Sequence, residues 1–395
     1  VLKTLERLRK EKMGFTVDLL GEAVITEAEA QSYLDRYLDL MTQLTAAAQN
    51  WATVPAIDQA DGQPLSKVQV SVKLTAFYSQ FDPLDAQGSQ ERVSERIRLL
   101  LRRAKELGTA VHFDMEQYAY KDLTLAILKQ ILLEEEFRDR TDIGMTLQAY
   151  LRDSERDLQD LIAWAKQRGT PLTIRLVKGA YWDQETIKAA QKDWDQLENH
   201  EHLYAAIGSH NVRTQAHAIA IAKALKIPAR RIEFQTLYGM GDKLAKAIVD
   251  QGYRVRVYCP YGDLIPGMSY LIRRLLENTA NSSFLRQNLE ERPIEELLAA
   301  PESSESKSAV LNPQNFVNVA DTDYADLEAR NQLQQALQTV RQQLGKTYLP
   351  YIDGQFVETD QKLASVNPSQ FNEVVGQIGM ISVDQAEQAI ASAKA

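Results

Sequence analysis

The chain has 395 residues, 44% of them hydrophobic and 25% charged, and a net charge of −9; this is room for one large domain plus something smaller. The acidic balance argues against a broad nucleic-acid surface, which needs a basic field. No run approaches the roughly 18 apolar residues of a spanning helix, and the charged first residues carry no signal-peptide core. The single cysteine, Cys259, excludes an intrachain disulfide framework and a cysteine-rich metal site. The five histidines (His112, His200, His202, His210, His217) never form an HExxH pattern, so no metal site is expected. These features predict a cytoplasmic protein.

Between residues 15 and 260, short β-rich runs alternate with helical stretches, the signature of parallel strands in an α/β fold. Strands are predicted at 15–20, 68–74, 110–114, 144–148, 172–177, 205–208, 232–237 and 255–258. Several are nearly continuous apolar runs, as expected for strands covered on both faces. The segments between them have helical periodicity: from 93 to 107 the apolar positions are Val93, Ile97, Leu100, Leu101 and Ala104. Eight such units suit a closed (βα)8 TIM-like barrel. A doubly wound open sheet would place a glycine-rich turn after its first strand, and this sequence has none.

Past Asn278 the pattern changes. Residues 299–308 (AAPESSESKS) are small, polar and charged, which marks a linker. A helix is predicted from 323 to 344, with Leu327, Leu333, Leu337, Val340 and Leu344 on one face. In YIDGQFV, Asp353-Gly354 is a hairpin turn, and a last helix starts near Ser382 with Gln385 completing a capping box. The expected organisation is a barrel over 1–298, a linker and helix over 299–345, and a segment 346–395 that reads as the opening of another domain.

Active sites of such barrels lie at the C-terminal ends of the strands. The polar residues expected there are Asp18 and Glu22, Lys73, Asp114 and Glu116, Gln148, Arg175 and Lys178, His210 and Asn211, Gln235, and Tyr258. After the eighth strand, Pro266 opens a helix to about Asn278. Tyr270, Arg273, Arg274 and Glu277 share one face of it, and Met268, Leu271, Ile272, Leu275 and Leu276 share the other. Spacing alone favours a solvated charged face. The same two arginines and tyrosine become a carboxylate receptor if that face meets the pocket. In RLVKGAYWD (175–183), Gly179 and Ala180 allow close backbone approach to a ligand, Lys178 supplies charge and Trp182 a flat surface. YGMG (238–241) reads as a tight turn or a phosphate loop.

From about Gly14 to Leu285 the chain resembles the proline dehydrogenase domain of the proline utilization A family of bifunctional bacterial enzymes. The motifs are FTVDLLGEA, SVKLTAF, HFDMEQ, LQAY, IRLVKGAYWD, SHN, EFQTLYGMG, RVYCPYG and SYLIRRLLENTANSSF. The tail from about Tyr348 is similar to the start of the aldehyde dehydrogenase superfamily, in YIDGQFV and SVNPSQFNEVVGQI.

The resemblance implies a distorted barrel holding FAD, with the last helix over the strand ends. It implies that Arg273, Arg274 and Lys73 bind the carboxylate of L-proline, that Tyr258, Tyr270 and Leu237 surround its ring, and that Asp114 hydrogen-bonds in the same pocket. Glu22 would pair with Arg273 as a lid. Arg175 would lie near flavin N5 and Gln148 near the pyrimidine end. Val177, Lys178, Gly179, Ala180, Trp182, His210, Asn211, Gln235, Glu277 and Ser283 would line the rest of the cofactor. The implied reaction is hydride transfer from proline to flavin N5, giving Δ1-pyrroline-5-carboxylate, the first step of proline catabolism to glutamate. The protein's part is orientation and electrostatics. A quinone acceptor, peripheral association with the inner face of a membrane and a homo-oligomer are implied as well.

The chain departs from the family in three places. Trp194 is followed almost at once by Leu197-Glu198-Asn199-His200, without a basic, threonine-rich stretch that touches FAD; residues are expected to be missing between about Gln196 and Leu197. The helical arm before the barrel is cut off at Val1. The aldehyde dehydrogenase segment has no downstream nucleophilic cysteine, so the second, NAD-dependent reaction is not expected. Two rival readings are a Schiff-base lyase using Lys73 or Lys178 and a non-catalytic scaffold that binds no flavin.

Overall fold

A computed structural model describes residues 1–21, 24–60, 62–151, 153–177, 204–263, 265, 267–279 and 321–394, with side chains of the last barrel helix described to Leu275. The chain divides into two compact units, Val1–Asp321 and Thr322–Ala395.

The first unit is a closed barrel of eight strands: β1 (Met13–Leu19), β2 (Gln69–Val72), β3 (Ala110–Phe113), β4 (Ile143–Gln148), β5 (Thr173–Val177), β6 (Tyr204–Gly208), β7 (Glu233–Leu237) and β8 (Arg254–Tyr261). Every neighbouring pair is parallel, and β1 closes the ring by pairing with β8 over Met13↔Val255 to Leu19↔Tyr261. Each predicted strand overlaps an observed one.

Among the described residues the barrel helices are α1 (Leu2–Lys10), α2 (Glu27–Ala48), α3 (Ala86–Leu107), α4 (Tyr118–Ile131), α5 (Ser154–Arg168), α6 (Val212–Ala224), α7 (Asp242–Asp250) and α8 (Met268–Thr279). Their starts are locally encoded. Thr26 and Glu29 form a reciprocal capping box on α2, and the Asp85 side chain caps α3 through the Gly88 amide. Gly108 and Gly169 end α3 and α5 at φ +64° and +77°, a left-handed turn that glycine adopts without strain. Before β1, α1 is pinned by a buried ion pair, Arg9 Nη2 to Asp58 Oδ2 at 2.6 Å, with the Arg9 guanidinium also over the Trp51 ring.

The core lies mainly between strands and helices. Phe15, Val17, Val70, Val72, Val111, Phe113, Met145, Leu147, Ile174, Phe234 and Val255 pack against residues such as Leu34, Ile97, Leu101, Leu128 and Leu161. Burying each large apolar side chain contributes about 1.5–3 kcal/mol. The strands alternate instead of being apolar throughout. Thr16, Asp18, Ser71, His112, Thr146, Gln148, Arg175, Gln235 and Arg256 are buried too, with Thr16 bonded to Ser71, His112 to Thr146 and Arg175 to Ser71 across the interior. Near-continuous apolar runs therefore overstate the inner face, which is polar and in part satisfies itself.

Deep in the barrel, Arg256 Nε reaches Glu233 Oε1 at 2.8 Å and its Nη1 donates to the Phe15 carbonyl. Burial opposes ionisation of Glu233, but Arg256 outweighs it and holds the carboxyl below its usual range. His112 is driven well below the usual imidazole range by burial, helped by Arg175 and Arg256, so it is neutral. Its ring lies against Gly144, where a Cβ would collide with it.

The second unit begins with helix α9 (Leu327–Arg341), shorter at both ends than the predicted 323–344. A three-stranded sheet pairs β9 (Thr347–Tyr348) with β13 (Gln370–Met380), and β13 with β12 (Gln361–Asn367). The strands β10 (Tyr351–Ile352) and β11 (Gln355–Phe356) form the expected hairpin. Its turn has Asp353 at φ +51° and Gly354 at φ +76°, the geometry that Asp-Gly favours. Helix α10 (Val383–Ser392) carries the expected Ser382–Gln385 capping box. No helix among the described residues is long and apolar enough to cross a membrane.

Candidate active site

The ends of β1, β2, β3, β5 and β8 bring five predicted residues into one buried network. Lys73, just past β2, places Nζ 2.8 Å from Asp18 Oδ2 and 3.5 Å from both Asp114 Oδ2 and the Tyr258 hydroxyl. Tyr258 donates to Asp114 Oδ2 at 2.7 Å. The other Asp114 oxygen accepts from Arg175 Nη1, and Arg175 Nη2 donates to the Ser71 hydroxyl at 3.3 Å. The Arg175 guanidinium also lies over the Tyr258 ring, 5.5 Å from its centroid. Two buried carboxylates thus face two buried cations.

The electrostatics follow from that enclosure. Burial, then Asp114 and Asp18, push the Tyr258 phenol well above its usual range, so it acts as a donor. Asp18 is raised by burial, which exceeds the opposing pull of Lys73. Cys259, on β8 beside Tyr258, is buried and its thiol is pushed up to about 12, which makes it inert as a nucleophile.

The other side of the mouth is built differently. Gln148, on β4, donates from Nε2 to the Glu116 carbonyl at 2.7 Å and to the Tyr150 hydroxyl at 3.1 Å, and its Oε1 is buried with no partner. Arg175 Nε is likewise a buried donor with no partner. His210 accepts the Leu237 amide at Nε2, 3.0 Å away, which ties the β6 and β7 ends together and fixes that nitrogen as unprotonated. Burial, then the charge of Arg274, lowers the His210 imidazole to about 4.

That influence places Arg274 of α8 near the β6 end. Tyr270, Arg273 and Arg274 are half-buried, whereas Met268, Leu271, Ile272 and Leu275 are exposed. Arg274 stacks over the Tyr270 ring at 5.4 Å. The solvated charged face that spacing alone favoured is overturned: the basic, aromatic face of α8 is the more enclosed one. Spacing defines the two faces, and tertiary packing chooses between them.

Several expected residues have other visible work. The Asn211 side chain caps α6 through the Thr214 amide at 3.0 Å, Gln235 donates to Glu233 at 2.7 Å, and Glu116 accepts from the Thr75 hydroxyl at 2.5 Å. Val177 ends β5 and Leu237 ends β7. Glu22, Lys178, Gly179, Ala180, Trp182 and Ser283 lie outside the described residues, as do the Glu277 side chain, Pro266, the linker at 299–308 and the junction at Gln196–Leu197. Sequence reasoning gave no role to Tyr37, on α2. Its hydroxyl donates to the Ser71 carbonyl at 2.9 Å and lies 3.4 Å from Asp18 Oδ1. The signal was a tyrosine among the buried positions Leu34, Met41 and Leu44 of an amphipathic helix, since a buried phenol needs a polar partner. Asp122, Asp153 and Asp157 cluster closely enough for a cation, but the Lys121 ammonium already sits among them, 3.0 Å from Asp122 and 2.6 Å from Asp153.

The barrel also matches known proteins in sequence. The family model described as proline dehydrogenase matches residues 1–197 and 195–287, two pieces that meet at the short connection between β5 and β6. The bifunctional protein PutA of Klebsiella aerogenes is 26% identical over 439 residues, covering 99% of this chain and 32% of that protein. Proline dehydrogenase 2 of Bacillus subtilis strain 168 is 30% identical over 293 residues, covering 72% of this chain and 84% of that protein. Among solved structures, proline utilization A from Bdellovibrio bacteriovorus, inactivated by N-propargylglycine, superposes with a TM-score of 0.87 at 40% identity; it covers 99% of this chain and 43% of that one. The chain spans about a third of the length of the curated PutA relatives it matches.

Proposed function

The chain belongs to the proline dehydrogenase family, and from that premise we propose that its barrel mouth oxidises L-proline to Δ1-pyrroline-5-carboxylate with FAD as cofactor. The observation that carries this reading is the pair of partnerless buried atoms on adjacent strands, the Arg175 Nε donor and the Gln148 Oε1 acceptor. Stranded buried polar atoms are costly unless a ligand meets them. A donor and an acceptor on neighbouring strands fit the edge of a flavin ring, which presents both kinds of atom.

A bound flavin supplies the hydride acceptor. The protein's residues bind and orient. Arg273 and Arg274 on α8, with Lys73 opposite, hold the proline carboxylate; Tyr258, Tyr270 and Leu237 enclose the ring. Asp114 fixes Arg175 and Tyr258 together, so the substrate side and the cofactor side share one rigid support. His210, neutral and locked to the Leu237 amide, Asn211, Val177 and Gln235 flank the cofactor, with Glu22, Lys178, Gly179, Ala180, Trp182, Glu277 and Ser283 in the roles that family resemblance gives them. No protein nucleophile is required. Two carboxylates facing Lys73 favour its charged form, whereas a Schiff-base lysine needs a neutral amine.

The second unit is proposed as the opening of an aldehyde dehydrogenase domain, on the strength of YIDGQFV and its hairpin. A quinone as final electron acceptor, reached by peripheral contact with a membrane, and a homo-oligomer complete the proposal. The test is spectroscopic. Purified protein should show flavin absorbance that bleaches anaerobically when L-proline is added. Protein that stays colourless after incubation with FAD would sink the reading.

A further inference from the structure

Lys73 is 7% exposed, and its position requires an anion to keep the ammonium charged. Two carboxylates are within reach, and their circumstances differ. Asp114 is shared: Arg175 takes one oxygen, and Tyr258 donates to the other at 2.7 Å, leaving Lys73 at 3.5 Å. Asp18, 1% exposed, gives Lys73 the shorter contact, 2.8 Å. Behind Asp18, the Tyr37 hydroxyl donates to the Ser71 carbonyl at 2.9 Å and lies 3.4 Å from Asp18 Oδ1.

We propose that Asp18 is a positioning residue, which holds Lys73 protonated and aimed at the mouth while Asp114 orients Arg175 and Tyr258. The inference rests on the reading above, in which Lys73 binds the substrate carboxylate. Among the described residues, the charged or titratable groups around the Lys73 ammonium include Asp18 from β1, Asp114 and Tyr258 from the β3 and β8 ends, Arg175 from β5 through Asp114, and Tyr37 from α2 beside Asp18. Removing Asp18 takes away the shortest contact to the ammonium, and the other described carboxylate, Asp114, is already divided between Arg175 and Tyr258.

The test uses the full chain loaded with FAD, comparing the parent with Asp18→Asn and Asp18→Glu. The probe is tetrahydrofuran-2-carboxylate, a ring carboxylate with no amine to oxidise, titrated by calorimetry from pH 6 to 10. Asp18→Asn is expected to weaken binding about tenfold at pH 8, with the alkaline loss of affinity starting about one pH unit earlier. The KM for proline should rise similarly, while kcat at saturation changes less than about threefold. Asp18→Glu, which keeps the charge, should restore the parent pH profile. An unchanged binding profile in Asp18→Asn, with only a lower melting temperature, overturns the proposal, as does an Asp18→Glu that behaves like Asn. The Lys73 Nζ resonance, assigned through Lys73→Arg and followed by NMR without any ligand, separates this inference from the functional reading. Asp18→Asn should lower the Lys73 titration midpoint by about one unit even if proline is not the substrate, and an unmoved midpoint overturns the proposal.

Discussion

The β1–β3 and β8 side of the mouth and the β4–β7 side sit on one barrel but solve opposite problems. On the first, Asp18, Lys73, Asp114 and Tyr258 saturate one another within a few ångströms. On the second, Gln148 and Arg175 each keep a buried atom with no partner, and His210 is neutral. The saturated side is a support, expensive to break because each group neutralises another. In the proposed function the unsaturated side is the receptor for the cofactor, completed when it binds. Arg175 belongs to both, with Nη1 on Asp114 and Nε buried without a partner.

The sharpest way to break that contrast is at Asp114. Asp114→Ala takes the carboxylate away from the buried Arg175 guanidinium and the Tyr258 phenol, while Lys73 keeps Asp18, a loss of about 3–5 kcal/mol of folding stability; a denaturant titration that moved by under 1 kcal/mol would erase the distinction between support and receptor. Next in size is Arg274→Met on α8. Losing one charge-assisted contact should raise the KM for proline about 10- to 100-fold, with the flavin spectrum retained; an unchanged KM would remove α8 from the substrate side.

The smallest effect concerns pH. The folded His210 titrates near 4, below the imidazole's unfolded value of 6.5. Between those values the unfolded chain binds the extra proton, so stability is lost as pH falls from about 6.5 to 4. After allowance for its partial exposure, the contribution is about 2 kcal/mol. In His210→Gln the melting temperature should fall less steeply across this window than in the parent, and identical slopes would show that His210 titrates as though exposed.

How much of this was written in the sequence depends on distance along the chain. Asp353-Gly354 encodes its hairpin, Ser382 and Gln385 encode a helix start, and the alternation of β-rich and helical runs encodes eight strand–helix units. In each case residues within four positions of one another determine the outcome. Strand-end positions even named Asp18, Lys73, Asp114, Arg175 and Tyr258 in advance. What periodicity missed was the polar inner wall, because apolar runs report burial without reporting which groups satisfy one another inside.

The α8 helix shows the limit most plainly. Its sequence defines a basic face and an apolar face, and the spacing alone favoured the wrong one for solvent. Only the closed barrel decided that Tyr270, Arg273 and Arg274 are the more enclosed. The same holds for the ion network: Lys73 and Asp18 are 55 residues apart, and Tyr258 and Asp114 are 144 apart. Local sequence fixes a helix or a turn because the interactions are between near neighbours. Which carboxylate meets which ammonium is set by strand register around a closed ring, and the chain has no register until the barrel closes.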